Sequence, residues 1–286
     1  MLSTIVKDVF EFSLPEPDTL ATSIRERLIA FASVDWVSTI DSTNVALLEA
    51  AKSNGTHGQW PRLLGAHHQT QGQGRLGRPW LDAPGRALMF SCGFTWPAQD
   101  AHLLAPLAPA LGAASAVALE PFLLDPHNLR IKWPNDLMLG SGKVAGLLAQ
   151  SVLSGRHMHL VLGMGINLSG QACLSQTLKR DIADIATQLR SNTTAQDLVC
   201  ALALAWQHTI DAVARDGFVA YHDVYAKRDY LAGRRIQVTQ HGQVLGQGQA
   251  LGLDEAAQLR VLTDAGIKMF DIGDVSVRLS TTQDDS

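Results

Sequence analysis

The chain is poor in cysteine and in charged side chains. Its 286 residues include three cysteines, Cys92, Cys173 and Cys200, which show no CxxC spacing and no evident pairing. This pattern argues against a disulfide framework or a cysteine-ligated zinc site, and predicts reduced, mostly buried thiols in a cytoplasmic protein. Charged residues make up 17% and the net charge is −4, so the composition does not indicate a general nucleic-acid or membrane-surface binder.

Long apolar runs are also scarce, although hydrophobic residues make up 46% of the chain and predict a sizeable core. The N-terminus carries Lys7, Asp8 and Glu11, and it lacks the apolar core of a signal peptide. The most apolar stretch, residues 103–119, contains Pro106 and Pro109 and is shorter than the ~20 residues that a membrane span requires. We therefore predict a buried core helix that starts near Pro109.

Several common catalytic motifs are missing, namely HExxH, GxSxG and a P-loop. The stretch Gly72–Trp80 (GQGRLGRPW) does match GxGxxG, but Pro79 and a turn cluster at residues 82–85 leave no helix to hold a pyrophosphate, which argues against a dinucleotide fold. Glycines permit close backbone approach, arginines bind carboxylate and phosphate, and a tryptophan can stack on a base. The stretch therefore predicts a nucleotide-binding loop, and taken alone a solvated glycine-rich loop is an equal alternative.

The order of predicted elements indicates a mixed α/β domain followed by a small β-barrel. Residues 1–34 read as a leader strand and a short helix near residues 23–31, and a helix over residues 45–52 follows the capping side chains of residues 41–44. Residues 136–153 predict a hairpin with a Gly-Ser-Gly turn, whereas short strands separated by turns fill the chain from Arg235 onward. We place the catalytic domain at residues 35–230 and the barrel at residues 231–286.

Four further features carry candidate chemistry. Lys132-Trp133-Pro134-Asn135-Asp136 ends a strand, and its oxygens can bind Mg²⁺, although an ordinary turn is the commoner explanation. Lys143 follows a tight turn and can bind an anion, or it is a solvated lysine. Glycines in the strand Gly163-x-Gly165-Ile166-Asn167 indicate a bulge or close approach by a ligand, or room for a core neighbour. His157 and His159 alternate on one strand face, and without a third ligand we expect an exposed strand end.

Taken in order, these motifs closely resemble the biotin protein ligase family. The resemblance runs from about Trp36 to the C-terminus, and KWPND followed by Lys143-x-Ala145-Gly146 is its most specific part. It implies a catalytic domain of the class II synthetase kind with a mixed sheet and a C-terminal SH3-like barrel. It also implies a two-step enzyme: ATP activates biotin as biotinyl-5′-AMP with Mg²⁺, and a lysine of a biotin carboxyl carrier domain then takes the biotin.

The resemblance assigns roles to particular residues. Lys143, Arg75, Arg78 and Asp136 are the implied catalytic residues, and Asp136 is also the implied metal ligand. Positive charge at the first three can offset the repulsion between a carboxylate and the α-phosphate. The implied ATP contacts are Arg78, Trp80, Lys132, Asn135 and Asn167. The implied biotin contacts are Ser42, Thr43, Asn44, Gln69, Gly72, Gln73, Gly74, Arg75, Lys143, Gly146, Gly163 and Gly165.

Gln73 departs from the family, which usually has arginine there, so tight retention of the adenylate is in question. The sequence therefore leaves open a lipoate–protein ligase, which shares the fold, and a biotin-binding module without turnover. Because about 35 residues cannot hold the N-terminal winged helix-turn-helix of some relatives, we expect no DNA-binding role. We expect no membrane association and a monomer or weak homodimer.

Overall fold

A computed structural model describes residues 12–54, 59–82, 84–96, 104–154, 157–170, 174–175, 177, 181–273 and 275–280. Five longer helices and twelve strands lie in these segments. The helices are α1 (Pro17–Arg25), α2 (Thr43–Asn54), α3 (Leu104–Leu119), α4 (Ala195–Asp216) and α5 (Val219–Arg228). The strands are β1 (Ser33–Ile40), β2 (Arg62–Gln69), β3 (Ala87–Trp96), β4 (Leu129–Lys132), β5 (Asp136–Leu139), β6 (Gly142–Ser154), β7 (His157–Asn167), β8 (Arg235–Gln240), β9 (Gln243–Leu253), β10 (Leu259–Thr263), β11 (Gly266–Phe270) and β12 (Val275–Leu279).

The first sheet is mixed and has seven strands in the order β1-β2-β3-β7-β6-β5-β4. β1 and β2 are parallel, and the other neighbours are antiparallel. β7 lies at the centre, and every one of its residues after Met158 is buried. A central strand covered on both faces needs a continuous apolar run, which explains the sequence of this strand. The site described below is built on β7 and its neighbours β3 and β6.

The second sheet is antiparallel, with the order β11-β10-β9-β8-β12. It accounts for the short strands predicted from Arg235 onward, and it is consistent with an SH3-like unit. The predicted fold class, a mixed α/β unit followed by a small all-β unit, is confirmed. The two sheets touch where Trp133 Nε1 donates a hydrogen bond to the carbonyl of Ala257 at 3.2 Å. The domain boundaries at residues 34 and 230 stay a prediction.

Local signals in the sequence explain where helices begin and end. α2 starts directly after Ser42, whose Oγ accepts a hydrogen bond from Val45 N at 3.5 Å. α4 opens with a capping box, in which Thr194 and Asp197 satisfy each other's backbone N–H groups, and it ends at Gly217 with a φ of +67°. β5 and β6 are joined by Gly140 and Ser141, and Gly140 has a φ of +56°, which confirms the predicted hairpin.

The predicted core helix is α3, and it is largely buried. Among the described residues, the segment Leu104–Phe122 is the one helix long and apolar enough to cross a membrane by length and composition, and 61% of its apolar window lies inside the fold. α4 packs on α3, and the Trp206 indole of α4 stacks on Phe90 at 5.3 Å between ring centroids. Cys92 and Cys200 are buried and free, as predicted, and Cys173 lies outside the described residues.

Three predictions of local structure were wrong. The first helix is α1 rather than residues 23–31, because Pro17 favours a first turn and the apolar spacing of Ile24, Leu28 and Phe31 continues into a buried non-helical segment. The start of α3 lies five residues before Pro109. His159 is buried beside Trp60 instead of exposed, and burial lowers its pKa. β1 went unpredicted because polar residues interrupt its apolar pattern.

Candidate active site

The N-terminus of α2 brings polar side chains onto the first sheet. Ser42, Thr43 and Asn44 are all buried. Gln69, at the end of β2, accepts two hydrogen bonds through Oε1, from Thr43 N at 2.7 Å and from Thr43 Oγ1 at 3.1 Å. These four residues were predicted to bind biotin, and the structure places them together.

The glycine loop, residues 72–80, is a small hairpin rather than the start of a helix. Gly74 N donates to Arg78 O and Trp80 N donates to Gly72 O, each at 2.8 Å. Gln73 and Pro79 form an isolated antiparallel β-bridge between these two bonds. Leu76 and Gly77 form its tip, both with positive φ. This geometry agrees with the argument against a dinucleotide fold, since the described residues between the glycines and β3 form no α-helix.

A histidine–aspartate pair closes the base of the glycine loop. His68 Nδ1 lies 3.1 Å from Asp82 Oδ2, and the Asp82 side chain is 2% exposed. Burial raises the pKa of Asp82, while the hydrogen bond and the charge of His68 oppose that rise. No local pattern in the sequence marks this pair, because its partners stand on opposite sides of the loop, fourteen residues apart.

The loop folds Trp80 back over two glycines of the sheet. A Cβ added to Gly165 would lie 2.5 Å from Trp80 Cε2, and one added to Gly146 would lie 3.1 Å from Trp80 Cζ3. The Lys143 ammonium lies 5.3 Å from the centroid of the indole. The indole therefore requires glycine at position 165, whereas a Cβ at position 146 would first meet Lys143 Nζ, at 2.7 Å. The predicted residues Trp80, Lys143, Gly146 and Gly165 form one cluster.

Lys143 reaches this cluster because β6 carries a bulge. Asp136 pairs with Gly146, Leu137 with Ala145 and Met138 with Lys143, so Val144 is the extra residue. Strand alternation would put Lys143 and Gly146 on opposite faces, and the extra residue brings them to the same face. Lys143 Nζ then lies 2.5 Å from Asp136 Oδ1, with the two side chains 15% and 26% exposed.

The backbone of Lys143 is fixed from the far side by the segment around residue 182. Lys143 N donates to Asp181 O, and the carbonyl of Lys143 accepts from Ala183 N and from Asn167 Nδ2, all at 3.0 Å. Asn167 thus has a structural contact beside its predicted role at ATP. Residues 181–183 carry no motif, so their contact with Lys143 was not predicted.

The KWPND turn (residues 132–136) is hydrogen-bonded to β6. The buried Asn135 amide donates to Leu147 O, and Lys132 stands opposite Asp136 in the β4–β5 register. A cavity of about 440 Å³ borders this turn, between α3, residues 147–149 and residues 272–273. Of the predicted site residues, Arg75, Asn135 and Gly163 line it.

The structure directs the two loop arginines toward the second sheet. Arg75 Nη2 donates to Gly273 O at 2.5 Å, and Arg78 Nη2 donates to Ser276 Oγ at 2.7 Å. The predicted catalytic residues therefore divide into an ion pair, Lys143 and Asp136, and two arginines that join the glycine loop to the C-terminal sheet.

The described residues contain no group of three or more His, Cys, Asp or Glu side chains placed to hold a metal. Asp136 offers one carboxylate beside the Lys143 ammonium. Mg²⁺ is often held by one or two carboxylates, with substrate phosphates and water completing its shell. The donor set suits a metal that arrives with a nucleotide rather than a resident ion.

Known proteins that resemble the chain include biotin protein ligases. Residues 36–167 match the Biotin/lipoate A/B protein ligase family. The chain is 28% identical over 274 residues to the bifunctional ligase/repressor BirA of Escherichia coli, covering 93% of this chain and 81% of BirA. It is 27% identical to the biotin–[acetyl-CoA-carboxylase] ligase of Mycobacterium tuberculosis, covering 90% and 92%. The biotin protein ligase of Aquifex aeolicus, solved with biotin and ATP, superposes with a TM-score of 0.70 at 26% identity, covering 86% and 98%.

Residues 36–167 thus form a domain of the biotin/lipoate ligase family, and the chain is an enzyme of the ligase class. Within that family, the proteins it resembles over most of its length are biotin protein ligases.

Proposed function

We propose that the chain is an ATP-dependent biotin–protein ligase. In the first step a biotin carboxylate oxygen bonds to the α-phosphorus of ATP, the bond to pyrophosphate breaks, and biotinyl-5′-AMP and pyrophosphate result. In the second step the amine of a lysine on a biotin carboxyl carrier domain attacks the biotinyl carbonyl. AMP leaves, the amine loses a proton, and an amide remains.

The observation that carries this proposal is the cluster of Lys143, Asp136 and Trp80 over two glycines, inside a biotin/lipoate ligase domain. The Lys143 ammonium supplies positive charge where a carboxylate and a phosphate must approach each other. Asp136 orients that ammonium, and its oxygens can also receive Mg²⁺ carried by ATP, which would neutralise phosphate charge. The Trp80 indole offers a flat surface to adenine, and Asn167 lies on the same strand as Gly165, which the indole covers.

The glycine loop covers the site in this proposal. The backbone of Gly72, Gln73 and Gly74 encloses biotin, while Arg75 and Arg78 leave the C-terminal sheet to meet the adenylate. Closure of the loop would shield the reactive anhydride from water. Gln73 adds no charge to this enclosure, so release of the adenylate is expected to be faster than from a site with arginine there.

A carrier-labelling assay tests the proposal. Incubation with ATP, Mg²⁺, biotin and a biotin carboxyl carrier domain should increase the carrier mass by one biotinyl group at one lysine. Lipoate should not compete with biotin in pyrophosphate release. Transfer of lipoate instead would favour a lipoate ligase, and biotin binding without pyrophosphate release would favour a binding module. Cytoplasmic location, a monomer or weak homodimer, and the lack of a DNA-binding role stay predictions.

A further inference from the structure

A chain of hydrogen bonds links the predicted biotin contacts to two residues that no motif marks. Thr43 Oγ1 lies 2.7 Å from Ser91 Oγ, and Ser91 Oγ donates to Asn44 Oδ1 at 2.5 Å. Asn44 Nδ2 donates in turn to Gln150 Oε1 at 2.9 Å. Ser91, on β3, is completely buried, and Gln150, on β6, is half-buried. This chain of hydrogen bonds therefore runs across the sheet from Gln69 to Gln150.

The direction of these bonds follows from the chemistry of the side chains. With Asn44 Nδ2 on Gln150, Asn44 Oδ1 faces Ser91 and can only accept. The single proton of Ser91 is therefore spent on Asn44, so the proton of the 2.7 Å contact comes from Thr43. Thr43 Oγ1 has one proton, which it shares between Ser91 Oγ and Gln69 Oε1 at 3.1 Å in a three-centre hydrogen bond. Thr43 and Gln69 Oε1 are then left with lone pairs rather than protons for a bound molecule.

Space for this arrangement comes from Gly163. It stands opposite Ser91 in the β3–β7 register, and a Cβ on it would lie 2.1 Å from Asn44 Oδ1. The neighbouring loop begins at Gly72, where a Cβ would lie 3.5 Å from Gln69 Cβ. The accepting end of the chain of bonds thus lies beside the glycine loop.

We propose that Ser91 and Gln150 are positioning residues that fix the hydrogen-bond polarity of the biotin site. This inference rests on the proposed function. A cyclic urea presents two N–H donors, and the acceptors Thr43 Oγ1 and Gln69 Oε1 match them. The dithiolane ring of lipoate has no N–H group, so the same polarity selects biotin. Without Gln150 the Asn44 amide can turn over, the Ser91 proton is released, and Thr43 can present a proton instead of a lone pair.

Steady-state kinetics of pyrophosphate release test the proposal in Ser91→Ala and Gln150→Leu. Each should raise the KM for biotin and for desthiobiotin, which keeps the urea, by about tenfold, the scale of one hydrogen bond. The KM for ATP and the kcat at saturating biotin should stay within about twofold, since neither residue is among the proposed ATP contacts. Gln150→Glu keeps an acceptor for Asn44 Nδ2 and should restore the KM for biotin.

Ser115→Ala is the matched control. Ser115 is equally buried, but its Oγ accepts from Trp206 Nε1 at 2.9 Å on α3, away from the chain of bonds. It should lower thermal stability without raising the KM for biotin. An unchanged biotin KM in Ser91→Ala, an equal rise in Ser115→Ala, or no rescue by Gln150→Glu would overturn the proposal. A wild-type protein that releases no pyrophosphate with biotin would refute the proposed function instead.

Discussion

Three glycines of β6 and β7 leave room for three side chains of the candidate site. Gly146 faces Lys143, Gly163 faces Asn44 and Gly165 faces Trp80. The sequence predicted close approach at the two β7 positions because glycine in a strand interior is otherwise unfavourable. It could not show that the approaching atoms belong to the protein itself, since they come from α2, the glycine loop and a bulge.

Replacement of Gly163 by alanine should damage biotin binding without unfolding the protein. The new Cβ would lie 2.1 Å from Asn44 Oδ1, so Asn44 must leave its position. The chain of hydrogen bonds from Gln69 to Gln150 is then broken. We expect the biotin KM to rise by about tenfold or more, measured by pyrophosphate release. Gly93→Ala is the control, because its Cβ would meet Trp60 Cζ3 at 2.3 Å, outside the candidate site. Equal effects of both variants on the biotin KM would contradict this assignment.

Replacement of Lys143 by alanine should slow adenylation. The change removes the one ammonium that lies between Asp136 and Trp80, and loss of one such contact typically costs ~10²–10³ in rate. Single-turnover formation of biotinyl-AMP is the measurement. Lys227→Ala, on the exposed face of α5, should keep the wild-type rate. A Lys143→Ala rate within about threefold of wild type would show that another group supplies the charge.

At the scale of elements, the glycine loop is held by its base and by the C-terminal sheet. His68 and Asp82 close the base, and Arg75 and Arg78 contact Gly273 and Ser276. The loop itself contributes no buried residue other than Gly72. Segments with few buried contacts open at low free-energy cost, so the stability of this loop depends on these four residues and on the packing of Trp80 over Gly146 and Gly165.

Replacement of His68 by alanine should loosen the loop. It would leave the buried Asp82 carboxyl without its partner, which typically costs about 1–3 kcal/mol. Amide exchange of residues 72–80 should then be about tenfold faster in the ligand-free protein, as followed by mass spectrometry. His157→Ala, at the exposed start of β7, is the control and should leave exchange in the loop unchanged. Equal exchange in wild type and His68→Ala would show that the loop is held by other contacts.

Features that depend on residues close together in the sequence were predicted, whereas features that depend on contacts between distant segments were not. The strands of the first sheet other than β1, and the β5–β6 hairpin, were predicted because apolar patterns and turn glycines act locally. The bulge at Val144 was not readable, because it is fixed by pairing with β5 and by the contacts of Lys143 with Asp181 and Ala183. The Lys143–Asp136 ion pair depends on that bulge, so the sequence predicted its members but not their contact.

At the scale of the whole molecule, the two sheets meet at a buried carboxyl group. Asp229 follows α5, bridges β4 at Ile131, and is 8% exposed. Asp229 Oδ1 accepts from Leu231 N, whereas Oδ2 has no partner among the described residues, and Gly252 of β9 lies beside it. Tyr225 is also buried there, with its hydroxyl unpaired within the described part of the chain. A charge at this junction is poorly solvated.

Burial therefore raises the pKa of Asp229 to about 6. Because the folded state holds this proton more tightly than the unfolded state, the protonated group favours folding below about pH 4, and that contribution is lost as the pH rises to about 6. The loss is about 2–3 kcal/mol.

Replacement of Asp229 by asparagine should remove this loss, so the variant should unfold at higher urea concentration than wild type at pH 7.5 and at a similar concentration at pH 4. Asp211→Asn, on the exposed face of α4, should show no such pH-dependent difference. If Asp229→Asn differs from wild type by the same amount at both pH values, the junction does not bind a proton on folding, and Asp229 acts there through its hydrogen bond to Leu231 alone.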